Sequence, residues 1–174
     1  VNMNKEVRIK YHHNNEDWKL KKIDKGDWID VRACNIKVVK NTKGLKEESD
    51  SNLFTKIHNG KTTVYYRKGE VLKIKLGFSM ELPIGYEAYV LPRSSTFKNY
   101  GLLLVNSEGI IDESYCGNND EWMMIFYATR EGEIELGERM GQFRIQEKMP
   151  ILKFIEVEDL GNEDRGGIGS TGVK

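Results

Sequence analysis

Turn residues interrupt this chain roughly every 8 to 12 positions, and that spacing constrains its fold more than any other feature. Between the turns lie short β-prone runs, and no stretch holds a helical period over three turns. Residues 71–80 carry the clearest alternation. Leu72, Ile74, Leu76 and Phe78 fall on one face of an expected continuous strand, and Lys73 and Lys75 on the other. Further strands are expected at residues 7–11, 28–33, 36–40, 62–67, 86–91, 134–136, 140–145 and 151–157. Residues 122–129 are nearly all apolar and read as a strand buried on both faces. Residues 102–105 and 109–112 flank Asn106, Ser107 and Glu108 and read as a hairpin. Roughly a dozen such strands predict an all-β sandwich or jelly roll.

At 174 residues and 20.1 kDa the chain can bury one sizeable core, which we assign to residues 1–160. Lys+Arg and Asp+Glu are 27 each, so there is no net charge to attract duplex nucleic acid or an anionic membrane. No apolar run approaches the roughly 18 residues of a membrane span, and the N-terminus lacks the apolar middle of a secretory signal. Cys34 and Cys116 have no motif spacing and read as free thiols. The expectation is a soluble cytoplasmic protein without nucleic-acid or membrane partners. His12 and His13 point in different directions on an extended chain and read as a solvated turn. Residues 41–60 are polar, with Leu45, Leu53 and Phe54 as anchors. They read as an insertion with a little helix in 46–54, and as a surface open to a protein partner.

Four groups of residues carry chemistry. Arg93, Ser94 and Ser95 follow a strand, and a guanidinium beside hydroxyls suits phosphate oxygens, although Arg and Ser are also ordinary surface residues. Asp112 ends the β-branched run Gly109-Ile110-Ile111, which suits a base on a stiff strand. Tyr115 follows within one turn and could equally be core. Asp30 lies between Ile29 and Val31, facing away from both. Residues 161–174 hold Arg165, Ser170, Thr171 and five glycines from Gly161 to Gly172. They read either as a flexible terminus or as a clamp whose backbone N–H groups wrap phosphates.

Taken in order, these pieces resemble the trimeric dUTPases. Pro92-Arg93-Ser94-Ser95, then Asn106 with Gly109-Ile110-Ile111-Asp112, Tyr115 and Gly117, then Gly137-Glu138-Arg139-Met140-Gly141-Gln142, then Arg165-Gly166 to Gly172 follow four of that family's five motifs. Trp28-Ile29-Asp30-Val31 is a looser match to the first. The resemblance implies a jelly-roll-like β domain with a flexible Gly-rich C-terminal tail, assembled as a homotrimer with sites shared between subunits. It implies dUTP as substrate, Mg²⁺ as cofactor, and hydrolysis to dUMP and pyrophosphate by water attack on the α-phosphorus. By the same resemblance Asp112 is the general base and Tyr115 underlies the deoxyribose. Asn106, Gly109 and Ile111 belong to the uracil-reading segment. Arg93, Ser94, Ser95 and Gln142 contact phosphates and the attacking water. Arg165, Gly169, Ser170 and Thr171 close over the outer phosphates, and Asp30 holds the metal indirectly, through water. The chain departs from the pattern at Ile168, where the family tail has an aromatic, at Ser114, where Asp is frequent, and in an insertion at residues 118–121.

Two other functions use the same features. A dCTP deaminase, or a bifunctional enzyme, resembles this fold and shares the Arg-Ser-Ser and Ile-Asp elements; it would need Glu121 beside the cytosine ring. A regulatory binding protein on this scaffold would use the 41–60 insertion for docking.

Overall fold

The computed structural model describes residues 5–41, 47–49, 54–169 and 171–172. Its strands are β1 (Arg8–Tyr11), β2 (Ile29–Arg32), β3 (Asn35–Asn41), β4 (Glu47–Ser49), β5 (Phe54–His58), β6 (Lys61–Tyr66) and β7 (Val71–Lys75). They continue with β8 (Phe78–Glu81), β9 (Tyr86–Pro92), β10 (Leu102–Leu104), β11 (Gly109–Ile111), β12 (Met123–Ala128), β13 (Gly132–Glu135) and β14 (Arg139–Glu147). One short helix, α1 (Thr96–Tyr100), lies between β9 and β10. The strands form sheets in the orders β10-β12-β7-β3-β4, β11-β9-β14-β2, β13-β6-β5 and β1-β8, and the pairings are antiparallel.

The core lies between the two largest sheets. Leu72, Ile74, Met124 and Phe126 point inward from one, and Val31, Ala88, Val90 and Phe143 from the other. Trp122, fully buried, fills the centre. Its ring stands 5.1 Å from that of Phe143 in an edge-on contact and 5.0 Å from that of Phe78. These are separations at which aromatic pairs add to the burial energy. The all-β expectation is met.

Several local expectations are corrected. The single strand expected over residues 71–80 is two, because Gly77 takes φ +82° and turns the chain. β7 stays in the five-stranded sheet, while β8 leaves it to pair with β1. Residues 102–112 are not a hairpin. β10 pairs with β12 and β11 with β9, so the turn at Asn106–Glu108 crosses from one sheet to the other. β12 alternates: Met124, Phe126 and Ala128 are buried, whereas Tyr127 is exposed.

No helix occupies Glu47–Ser49, which pairs with β3. The rest of the expected helix at 46–54 lies outside the described residues, except Phe54, which opens β5. The strand expected at 151–157 is absent, and none of the described strands pairs with it. Its apolar side chains face solvent, Phe154 being 92% exposed. The helix α1 was missed because it is barely more than one turn long. It stops at Gly101, whose φ of +65° suits a left-handed helix cap.

Gly77 tests the turn between β7 and β8. A Cβ there would sit 2.6 Å from Cys34 Sγ and 2.7 Å from His13 Cδ2, on a backbone that L side chains avoid. Gly77→Ala is therefore expected to cost about 2 kcal/mol or more, from strain and overpacking together. Urea unfolding would measure it, and a loss below about 0.5 kcal/mol would show that the turn relaxes freely.

Candidate active site

β9 organises the candidate residues. On one side it pairs with β11, Gly109 opposite Val90 and Ile111 opposite Ala88. On the other it pairs with β14 over seven residues, Gly141 opposite Pro92 through Glu147 opposite Tyr86. Asp112 leaves β11 at the Ala88 end, while Arg93 leaves β9 just past Pro92. At about 3.3 Å per residue, the four positions from Ala88 to Pro92 separate them by roughly 13 Å.

Asp112 lines a pocket of about 390 Å³ together with Ile110, Ile111, Ser114, Tyr115, Glu121 and Met123. Its Oδ2 accepts hydrogen bonds from the Ser114 hydroxyl at 2.5 Å and the Ser114 N–H at 2.8 Å. Those bonds, the hydroxyl first, hold its carboxyl below the usual carboxylate range, so the exposed group is an anion at neutral pH. Glu113 points the other way. It accepts from Gly85 N–H at 2.7 Å and from Lys148 Nζ at 2.8 Å, which fastens the Asp112 turn to the ends of two strands. Tyr115 packs on the core and donates its hydroxyl to the Glu121 carbonyl at 3.0 Å. Burial, then Asp120 and Glu121, push its phenol pKa upward, so it stays neutral.

A second pocket, of about 200 Å³, adjoins the first through Met123. Asn106 and Gly109 line it with Val90, Leu104, Val105 and Ile125. The turn between them is tight: Glu108 N–H donates to Asn106 O at 2.6 Å, and Asn106 Nδ2 donates to Glu108 O at 3.0 Å. Ser107 adopts φ +60°. A small, mostly apolar pocket with Asn106 and Gly109 in its lining suits a heterocycle.

The cationic group is at the far end of β9. Arg93 Nε lies 3.2 Å from Asp30 Oδ1, and Arg139 Nη1 lies 3.1 Å from Asp30 Oδ2, so one carboxylate bridges two guanidiniums. Gln142, opposite Asp30 in the ladder, donates Nε2 to Pro92 O at 3.2 Å. Ser94 is exposed and Ser95 half-buried at the start of α1. Thr96, 1% exposed, staples this loop to β14: its hydroxyl accepts from Arg93 N–H at 2.9 Å and donates to Met140 O at 3.3 Å.

Two groups therefore form within one chain, Asp112 with Tyr115, Ile111, Asn106 and Gly109, and Arg93 with Asp30, Gln142, Ser94 and Ser95. The tail joins neither. Arg165, Gly169 and Thr171 are exposed, and Ser170 lies outside the described residues. Sequence reasoning missed Thr96, Glu113 and Met123, whose roles depend on partners far away in the chain; only Glu113, beside Asp112, carried a local signal. Among the described residues no cluster of three His, Cys, Asp or Glu could hold a metal ion, and no helix is long and apolar enough to cross a membrane. Cys34 and Cys116 are free thiols.

The chain is 43% identical over 169 residues to the SPbeta prophage-derived deoxyuridine 5'-triphosphate nucleotidohydrolase YosS of Bacillus subtilis, covering 97% of this chain and 99% of that protein. The fold is similar to that of the Staphylococcus bacteriophage 80alpha dUTPase with dUPNHPP, at a TM-score of 0.64 and 18% identity, covering 98% of this chain and 100% of that one. It is also similar to a dUTPase from phage phi11 of S. aureus whose structure describes a structural Mg(II) ion, at a TM-score of 0.60 and 13% identity, covering 90% and 99%. The dUTPase family model matches residues 60–172, which span both pockets, the Arg93 loop and the tail, and by that match the chain belongs to the dUTPase family.

Proposed function

We propose that this chain hydrolyses dUTP to dUMP and pyrophosphate, and that Asp112 orients the water that attacks the α-phosphorus. The observation that carries this reading is an ionised carboxylate, held by Ser114, in the lining of a pocket that Tyr115 also lines and that shares Met123 with the pocket beside Asn106. A carboxylate of depressed pKa is a weak proton acceptor, so its main work is to align and polarise the water. The water oxygen bonds to the α-phosphorus as the bond to the bridging oxygen breaks. Pyrophosphate leaves with that electron pair, and the water's proton passes toward Asp112.

The remaining roles follow the family pattern. Tyr115 lies under the deoxyribose and leaves no room for a 2′-hydroxyl, while the Asn106–Gly109 turn and Ile111 enclose uracil. Arg93, Ser94, Ser95 and Gln142 meet the phosphates, and Arg165, Gly169, Ser170 and Thr171 close over them. A divalent ion bound with the nucleotide, which we take to be Mg²⁺, would supply charge neutralisation for the triphosphate. The donor set fits such an ion: among the described residues Asp30 is the carboxylate paired with Arg93, and both its oxygens already face guanidiniums, so it would reach a metal through water.

The roughly 13 Å along β9 between the Asp112 pocket and Arg93 supports a homotrimer in which different subunits supply the two halves of each site. The exposed arm supports it too. Ile151, Phe154, Ile155, Val157 and Leu160 leave an apolar strip of the kind that marks an interaction surface. The deaminase reading gains no such support, because the Glu121 carboxylate is already engaged by Gly77 N–H at 3.0 Å.

Pyrophosphate release with Mg²⁺ should be seen with dUTP and not with UTP, dTTP or dCTP; ammonia from dCTP would overturn the reading. Asp112→Asn should lower kcat by about 10³-fold while leaving dUTP binding within a few-fold, since losing a positioned base costs about 10²–10⁴. A near-normal rate would remove Asp112 from the mechanism.

Truncation after Gly161 is expected to leave a folded trimer by light scattering with little activity, because the tail excludes water only when it closes. Full activity in that protein would make the tail dispensable.

A further inference from the structure

The insertion at residues 118–121 is anchored to the body of the protein at a point that also bears on the site. Glu121 Oε2 accepts the Gly77 N–H at 3.0 Å, at the sharp turn where β7 gives way to β8. Next in the chain, Trp122 N–H donates to Phe78 O and Trp122 O accepts from Leu76 N–H, both at 2.9 Å. The carbonyl of Glu121 is then presented to the Tyr115 hydroxyl at 3.0 Å. One residue thus grips a rigid turn with its carboxylate and holds the pocket tyrosine with its main chain.

The turn it grips cannot readily shift. Gly77 has no room for a Cβ against Cys34 and His13, and its carbonyl accepts from His12 N–H at 2.9 Å. The other end of the insertion is tied nearby, where Ser79 Oγ donates to Asn118 O at 3.2 Å and meets His12 Nε2 at 2.8 Å. Asp120 Oδ2 accepts from the N–H of Gly117, the residue just before the insertion, at 2.8 Å. Two tethers flank the carbonyl that Tyr115 uses: the Trp122 N–H of the same peptide unit, bonded to Phe78 O, and the Glu121 side chain, bonded to Gly77 N–H. The second of these is made by a side chain that a substitution can remove without touching the main chain.

We propose that Glu121 is a positioning residue that sets discrimination between deoxyribose and ribose by fixing the Tyr115 ring through the Gly77–Glu121–Tyr115 chain of hydrogen bonds. The proposal rests on the reading of Tyr115 as the floor under the sugar. A ring held at its hydroxyl cannot recede to admit a 2′-hydroxyl, whereas a ring released there can.

The test is the ratio of kcat/KM for dUTP to that for UTP. Glu121→Ala should lower this ratio about tenfold, and Glu121→Gln, which keeps an acceptor oxygen for Gly77, should hold it within about threefold. Tyr115→Phe, which lacks the hydroxyl, should show a similar loss. The double variant Tyr115→Phe/Glu121→Ala should be no worse than Tyr115→Phe alone, because both changes break one chain. If Glu121→Ala does not fold, Glu121→Asp takes its place with the same expectation, its carboxylate being one methylene short of Gly77. Losses that multiply in the double variant would overturn the proposal, since a merely structural glutamate would act independently of the hydroxyl. So would an unchanged ratio in Glu121→Ala while Tyr115→Ala abolishes discrimination. An unchanged ratio in Tyr115→Ala would instead sink the reading of Tyr115, and this inference with it.

Discussion

The ladder between β9 and β14 is the constraint on which the rest of the site depends. It runs unbroken over seven residue pairs, and β11 is laid along the other edge of β9. A one-residue slip in a strand pairing turns every side chain to the opposite face. Here a slip of β14 would put Phe143 into solvent and break the bond from Gln142 to Pro92 O. The buried aromatic cluster around Trp122 thereby fixes the register, and the register fixes where the polar residues emerge. Core packing and the arrangement of charge are one problem in this fold.

The polar side shows the same dependence. Asp30 holds two guanidiniums, and neither would be useful if it swung freely in solvent. The pairs are only partly exposed, so their worth lies more in orientation than in stability. Thr96 adds what a salt bridge cannot, a buried hydroxyl that satisfies one backbone donor and one backbone acceptor at once. A loop that carries Ser94 and Ser95 is thereby given the rigidity of a strand end.

The sequence was informative where one residue's environment repeats with a period. Alternation at Leu72, Ile74 and Leu76 located β7, and the β-branched approach to Asp112 located β11. It misled where the decisive partner was remote. Nothing near Asn106 says that its two flanking strands belong to different sheets. Their partners, β12 and β9, lie on either side of them in the chain, and hairpin chemistry and a crossover turn look alike over three residues. The break at Gly77 was hidden because the apolar period runs straight through it, and only Cys34 and His13 crowding that position reveal it. Of the site, the motif residues were legible and their supports were not. The side chains of Thr96 and Glu121 bond to backbone atoms that no pattern marks.

The one expected strand that did not form is informative for a related reason. Residues 151–157 are rich in Ile and Phe, but a strand needs hydrogen-bonding neighbours, and within the described chain this segment has none. Covering Ile151, Phe154, Ile155, Val157 and Leu160 would recover on the order of 10 kcal/mol of transfer free energy. Ordering the segment's backbone would offset much of that gain. A single chain leaves the exchange unmade; an assembly can make it, because the neighbour's surface is already ordered. The same assembly would bring a distant Arg93 to an Asp112 pocket. In the proposed assembly an apolar arm and a divided site would be two consequences of one design, in which copies of the chain complete what its own sheets do not.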